Sequence, residues 1–224
     1  MIGESESLRN RRDAGMKLAH ALRRFATADP IVLALPRGGV PVGFEVAKVL
    51  GAPLEVLIVR KIGAPGHEEF GLGAVVDGTE PQIVLNDEAI AAVLAPRSYI
   101  EAEIARQLVE IERRRRVYLG DRAPLPTHGR TVILVDDGIA TGGTVTTALK
   151  ALRQTRPEYV ILAVPVAAPQ SIADLTGEAD EIVCLATPEP FWAVGQYYRD
   201  FAQTTDEEVV ALLAENRAQV EAGS

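Results

Sequence analysis

Two adjacent carboxylates and the Gly/Thr loop behind them are the residues of this chain best suited to chemistry. Asp136 and Asp137 follow the run Thr131-Val-Ile-Leu-Val and precede Gly138-Ile139-Ala140-Thr141-Gly142-Gly143-Thr144. The run is β-branched or leucine throughout, without polar alternation, which predicts a strand covered on both faces of a parallel sheet. Open α/β sheets bind ligands beyond their strand C-termini, where these carboxylates stand. Gly142 and Gly143 let the backbone close round a ligand, and Thr141 and Thr144 add hydroxyls. With a helix expected over 145–152, several N–H groups and the positive end of a dipole converge on one anion. The loop has no Lys before its last Thr and no G-x-G-x-x-G, so neither nucleotide fingerprint applies. The chemistry implied is one phosphate with a diol beside it. Adjacent carboxylates at a buried strand end are costly without a ligand or partner, which weighs against an ordinary Gly turn.

Three further stretches carry candidate groups. Arg37-Gly38-Gly39 lies between a strand and a helix start, where N–H groups and a guanidinium can grip an anion. Arg60 and Lys61 follow a strand end and lead into a Gly-rich, charged stretch with His67, Glu68 and Glu69, expected to be a mobile loop over 60–71. Phe191, Trp192, Tyr197 and Tyr198 cluster within 188–198; Trp192 offers the largest face for a heterocycle, against the alternative that these rings pack as a structural strap. Arg113 to Arg116 reads as a solvated helix end, with Glu112 and Arg116 spaced as an i,i+4 pair. Cys184 sits in an apolar strand and is expected to be a core residue.

The elements that must position these groups follow from patterning. Apolar runs at 31–35, 54–59, 72–76, 131–135, 159–164 and 181–185 read as strands. Helices are expected over 8–25, from Pro41 to a Gly51 C-cap, from a capping box at Ser98 and Glu101, over 145–152, and after Thr205. Strands alternating with helices imply a doubly wound, mostly parallel α/β sheet. At 224 residues one domain with an accessory lobe is expected, spanning 1–224. A net charge of −8 argues against nucleic-acid or anionic-membrane partners by general electrostatics. The N-terminus lacks an apolar signal region and no run reaches transmembrane length, so a cytoplasmic protein with no membrane partner is expected.

The stretch Val132-Ile-Leu-Val-Asp-Asp-Gly-Ile-Ala-Thr-Gly-Gly-Thr144 resembles the phosphoribosyl-diphosphate (PRPP) signature of the type I phosphoribosyltransferases, departing in having Gly138 where an apolar residue is usual. The resemblance implies strand order 3-2-1-4-5, with 31–35 and 131–135 as central neighbours and a small hood from 86–130 and 186–224. It implies that Asp136 and Asp137 hold the ribose hydroxyls and also Mg²⁺, the metal directly or through PRPP or water, and that Ala140, Thr141, Gly142, Gly143 and Thr144 hold the 5′-phosphate. Arg37, Gly38 and Gly39 correspond to the pyrophosphate loop, and Lys61 to a catalytic cation beside the diphosphate. Mg²⁺ is the implied cofactor, and PRPP with a small nitrogen heterocycle the implied partners; a homodimer is allowed for. Trp192 is the candidate base-stacking ring. Ala140 stands where the 6-oxopurine enzymes carry a general-base Asp, and Pro165-Val-Ala-Ala-Pro169 stands where they place a Lys. Arg-Lys-Ile-Gly-Ala-Pro-Gly-His and Pro-Glu-Pro-Phe-Trp resemble a bacterial branch of the family without an assigned substrate. The rival reading is a non-catalytic PRPP-binding regulatory protein, although about thirty residues before the first strand are too few for a DNA-binding domain.

Overall fold

Runs that are apolar at every position can fill a sheet covered on both sides, and the central strands here do so. The computed structural model describes residues 7–78 and 80–223, apart from the side chains of Glu68 and Glu69, so the N-terminal reading of residues 1–6 and the charges on Glu68 and Glu69 lie outside the described residues. Helix α1 (Arg11–Leu22) runs through a 3-10 turn (Arg23–Ala28) into strand β1 (Ile31–Ala34), helix α2 (Gly39–Leu50) and strand β2 (Leu54–Val56). After an intervening segment come β6 (Thr131–Val135), α5 (Gly143–Gln154), β7 (Tyr159–Val166), α6 (Pro169–Asp174) and β8 (Glu181–Ala186). These five strands form one parallel sheet in the order β2-β1-β6-β7-β8. Alternate residues feed two cores. Val32, Ala34, Ile133, Val135 and Ile161 join one with Leu18, Phe44 and Val46 of α1 and α2, while Ile31, Leu33, Val132, Leu134 and Leu162 join the other with Leu149 of α5. Both faces being covered explains why these strands carry no polar alternation.

The expected neighbours 31–35 and 131–135 do pair, with Ile31 opposite Val132 and Ala34 opposite Val135. The expected order is corrected in detail: counted among its own strands, the sheet runs 2-1-3-4-5 rather than 3-2-1-4-5. No strand adds outside β2 because the chain leaves it for a separate antiparallel sheet. That sheet comprises β3 (Val59–Ala64), β4 (His67–Val76) and β5 (Gln82–Leu85). The mobile loop expected over 60–71 is corrected too. Its residues pair across a hairpin, with Lys61 opposite Ala74 and Ala64 opposite His67, and the register shifts at Gly63 absorb the irregular sequence. The edge of β2 is covered instead by the last helix, α7 (Asp206–Gly223), whose buried Asn216 accepts from the Leu54 N–H at 2.8 Å and donates to the Ala52 carbonyl at 3.1 Å.

The segment 86–130 forms α3 (Asp87–Val93) and α4 (Arg97–Leu119), with α4 set against β3, β4 and α7. The capping box expected at Ser98 is corrected. Pro96 is the N-cap, with extended backbone and no side-chain bond, and Glu101 accepts instead from Arg97 Nε at 2.8 Å. Pro disfavours helix for the residue before it and suits the entry itself, so the helix starts two residues early. Gly51 caps α2 with φ of 64°, and the Thr205 hydroxyl accepts the Glu208 N–H at the start of α7, both as expected. Residues 188–203 turn back as a strap that pairs with the N-terminus: Leu8 N–H donates to the Tyr197 carbonyl at 2.9 Å, and Arg199 N–H returns a bond to Leu8 at 2.8 Å.

Candidate functional site

The strand order reverses direction between β1 and β6, so the loops that follow them open on either side of a crevice. Asp136 and Asp137 come directly off the fully buried strand β6 and are themselves half-buried. The Asp137 N–H donates to Asp136 Oδ1 at 2.9 Å, which folds the first carboxylate back onto its own turn. Burial pushes the Asp136 carboxyl up, and the neighbouring Asp137 charge adds to it. Asp137 is also raised by burial, opposed by the guanidinium of Arg11, whose Nε donates to its Oδ2 at 2.7 Å. Two carboxylates in this setting favour a ligand that brings hydrogen-bond donors or a cation.

Arg11 is the neighbour of the acidic pair that sequence reading missed. It sits in the first turn of α1, where a cation opposes the helix dipole. That misplaced charge is the signal that could have found it. Its guanidinium also donates to the Ala202 carbonyl at 2.6 Å and lies 3.8 Å over the Phe201 ring, so the strap and α1 hold it against Asp137 together. Tyr198 completes the frame by donating its hydroxyl to the Asp137 carbonyl at 2.6 Å.

The double glycine after β1 has a steric reason. A Cβ on Gly38 would overlap the Asp137 carboxylate, and one on Gly39 would stand 2.8 Å from the Val135 carbonyl oxygen. The Arg37-Gly38-Gly39 loop therefore rests directly on the acidic pair. The departure at Gly138 is explained in the same way, since its Cβ would come within 2.5 Å of Val194 Cγ1 and 3.0 Å of Val166. The strap occupies the room that a side chain at this position would need.

Beyond Ile139, bonded to Val166 and Ala168 across the next strand, the chain enters the Thr/Gly loop. Ala140 is pinned by Ser171 Oγ at 2.6 Å. Gly142 adopts φ of 76° and serves as the N-cap of α5 without any side-chain bond, so the first N–H groups of the helix have no capping side chain. Thr146 and Thr147 donate their hydroxyls back to the Gly142 and Gly143 carbonyls at 3.0 and 2.9 Å. Thr141, Gly143 and Thr144 line a cavity of about 800 Å³ whose opposite wall is the antiparallel sheet, with Lys61 and Arg60 on β3 and Lys150 on α5 also at its surface. Arg60 is bonded to Gln107 of α4 at 2.9 Å, which ties that wall to the helical segment.

The structure thus brings Asp136, Asp137, Gly38 and Gly39 together, and separately Lys61 with Thr141, Gly143 and Thr144. Arg37 lines a different pocket from Lys61, beside Arg113 and Arg114. Among the four aromatics, Phe191 stacks on Tyr197 at 5.0 Å and Tyr198 is buried, whereas Trp192 is 75% exposed. Cys184 is half-buried in β8 with its thiol pushed up to about 11 by burial, as a packing residue should be.

No set of three or more acidic, His or Cys side chains converges on a metal position among the described residues. The protein's own offer is the two adjacent carboxylates, one already bonded to Arg11. That donor set fits Mg²⁺ held by one or two carboxylates together with substrate oxygens and water. Among the described residues no helix is long and apolar enough to cross a membrane.

Comparison with known proteins identifies the family. Residues 5–202 match the family model described as the phosphoribosyl transferase domain. Two Mycobacterium tuberculosis proteins, from strains CDC 1551 and H37Rv, are each provisionally named a phosphoribosyl transferase. Each is 46% identical over 204 residues, covering 91% of this chain and 46% of the relative. The chain therefore spans less than half the length of these curated relatives. The solved structure of TT1426 from Thermus thermophilus is 47% identical and superposes with a TM-score of 0.79, over 93% of this chain and 98% of that one. A loop of Gly and Thr beneath an acidic pair, on this sheet and within a family match of this extent, places the chain in the phosphoribosyl transferase domain family.

Proposed function

We propose that the protein transfers the 5-phosphoribosyl group of PRPP to a ring nitrogen of a purine- or pyrimidine-like heterocycle, releasing pyrophosphate, with Mg²⁺ accompanying the diphosphate. The observation that carries this is the juxtaposition at the crevice: two carboxylates at a strand end, a glycine loop resting on them, and a helix start without a capping side chain. The family match and the names of the M. tuberculosis relatives support it. In this reading Asp136 and Asp137 accept the ribose hydroxyls and stabilise positive charge developing at the anomeric carbon. Ala140 to Thr144 fix the 5′-phosphate through N–H groups and hydroxyls, and Arg37, Gly38 and Gly39 receive the departing pyrophosphate. Lys61, across the cavity from the phosphate loop, supplies a cation to the phosphates. Mg²⁺, held by Asp136 and Asp137 together with substrate oxygens and water, would supply positive charge to offset the diphosphate. Segments 86–130 and 186–224 act as the hood, and exposed Trp192 is the ring available to stack on a base.

Two observations favour the second reading, a non-catalytic PRPP-binding regulatory protein. Asp137 is bonded to Arg11, and Ala140 supplies no base within the loop. A single assay separates the readings. The full chain is incubated with PRPP, Mg²⁺ and a panel of purines, pyrimidines and related heterocycles, and pyrophosphate release is followed. Transfer predicts release above PRPP's own breakdown with at least one base, and its loss on chelation of Mg²⁺. PRPP binding without release for any base would favour the regulatory reading. Absence of PRPP binding would count against both.

A further inference from the structure

Glu55 is a charged residue in a strand that has no need of one. It sits in β2 between Leu54 and Val56, in a run buried at every position, and is itself only 8% exposed. Leu54 and Val56 join the core that includes Phe44 of α2, so alternation turns Glu55 to the other face of the sheet, the one covered by α5. There it lines a cavity of about 330 Å³, with Leu33 and Leu57 beside it, Leu125 from the segment before β6, and Leu152 from the end of α5. Asp77, directly after β4, lines the same cavity and is 5% exposed. The 12 residues of α5 span about 18 Å, so this cavity lies at the far end of that helix from the Thr/Gly loop.

The two carboxylates leave acceptors open inside the protein. The Leu125 N–H donates to Glu55 Oε2 at 3.0 Å, the one hydrogen bond to that carboxylate among the described residues. Asp77 Oδ1 is buried with no hydrogen-bond partner. Arg115 Nε approaches Asp77 Oδ2 at 3.7 Å, longer than a hydrogen bond, while its Nη2 donates to the Arg122 carbonyl at 3.2 Å. Arg122 gives its own Nε to the Leu119 carbonyl at 2.7 Å. Both guanidiniums are thus turned to backbone near the end of α4, and neither lines the cavity. Glu80 and His128 are the other titratable groups of the wall, which holds no Lys or Arg among the described residues. Burial pushes the Glu55 carboxyl up to about 7, opposed by the Leu125 N–H, with the Asp77 charge adding to the rise and Arg115 and Arg122 opposing it. Burial pushes Asp77 up to about 6, opposed by Arg115 and the Gly78 N–H, with Glu112 adding to the rise.

A buried carboxylate with an open acceptor is costly until a cation or a donor meets it. A pair that served only to tie the segment before β6 to β2 would need Glu55 alone, since Asp77 makes no bond to that segment among the described residues. The acids of the wall do not converge as a group of three on a metal position. Apolar walls with a few placed polar groups are the usual form of a small-molecule site. We propose that Glu55 and Asp77 form a binding site for a small organic cation on a compact apolar body, at the opposite end of α5 from the Thr/Gly loop. The leucines take the body and the open carboxylate oxygens take the cationic N–H groups. The site stands whether or not the chain transfers phosphoribosyl groups.

The test titrates the ¹⁵N-labelled full chain with benzamidine and with cyclohexylamine, and with their uncharged counterparts benzamide and cyclohexanol. It is run without PRPP or Mg²⁺ at about pH 8, where both carboxyls are largely ionised. At least one of the two cations should move the backbone amide signals of Leu57, Gly78, Leu125 and Thr155 and leave those of 140–144 in place. Its uncharged counterpart should bind about tenfold or more weakly, because charge-assisted bonds are lost. Glu55→Gln with Asp77→Asn should weaken the cation by a similar factor and bring it level with the uncharged compound. Gln keeps an acceptor for the Leu125 N–H, so the melting temperature should not fall. If that variant does not fold, Asp77→Asn alone, which leaves the Leu125 bond untouched, should show a smaller loss of the same sign. Equal affinity for charged and uncharged compounds in the wild type overturns the proposal, as does unchanged cation binding in the variants. Signals that move only within 136–144, or no movement with either cation, overturn it as well. Mg²⁺ that by itself moves the same four signals and displaces the organic cation marks a metal site and rejects the assignment.

Discussion

Asp136→Asn combined with Asp137→Asn should abolish measurable PRPP binding while the fold survives. The double change removes two anionic acceptors placed at the end of β6. Bonds to charged groups are worth about 1.5–3 kcal/mol each, so the loss is roughly a hundredfold or more in affinity. Calorimetry with PRPP and Mg²⁺ measures this directly, and affinity equal to wild type would remove these residues from the site. Stability should respond in a pH-dependent way. Burial raises the Asp136 pKa above 3.8, so the stability given by its protonated form is complete below that value and is lost as pH rises through the folded pKa. Once ionised, the carboxylate therefore weighs against folding. Above its folded pKa Asp136→Asn should raise the melting temperature, and the gain should disappear near pH 3.8. Asp137→Asn alone should gain less, because Arg11 loses a charged partner at 2.7 Å.

Gly38→Ala should have the next largest effect, on both stability and PRPP affinity. Its Cβ would overlap the Asp137 carboxylate and lie 3.3 Å from Arg11 Nε. The carboxylate cannot simply swing aside, since Arg11 and the backbone bond from Tyr198 hold that residue in place. Overpacking of this kind costs about 1–3 kcal/mol, or roughly 2–4 °C in melting temperature for each kcal/mol in a chain of this size. Displacing Asp137 should also weaken PRPP by about tenfold or more, given the worth of a charged hydrogen bond. Gly143→Ala is the control for the fold, because a Cβ there meets no atom within 4 Å. Its melting temperature should stay near wild type. A Gly38→Ala protein equal to wild type in both measurements would mean that the loop does not rest on the acidic pair in solution.

The central sheet was legible because burial on both faces leaves a direct mark on sequence. At 131–135 the observed strand has the expected ends, and β7 and β8 each run only one or two residues beyond expectation. The end of β4 was legible as the run 72–76, but the hairpin joining it to β3 was not. Glycines at 63, 66 and 71 read as a loop, while Gly73, inside the run read as a strand, takes φ of 154° where the Val84 carbonyl of the paired β5 leaves no room for a side chain. Close backbone approach between strands looks like turn chemistry when only sequence is available. Strand β5, with alternating half-exposed residues, left too faint a pattern to be assigned. The Asp136 to Thr144 stretch could be read because its groups are contiguous. Arg11 could not be paired with Asp137 in the same way, since 126 residues separate them and only the strap at Phe201 and Ala202 shows why they meet. The aromatic cluster divided along lines that composition does not encode: Tyr198 is anchored by Asp137, while Trp192 stands in solvent.

The location of PRPP itself tests the central claim most directly. Crystals of the full chain grown with PRPP and Mg²⁺ should show the 5′-phosphate within hydrogen-bonding distance of the N–H groups of residues 140–144. The ribose hydroxyls should lie on Asp136 and Asp137, with Arg11 shifted or sharing the Asp137 carboxylate. PRPP bound elsewhere, with the 140–144 loop holding no phosphate and the Arg11–Asp137 pair undisturbed, would contradict the account.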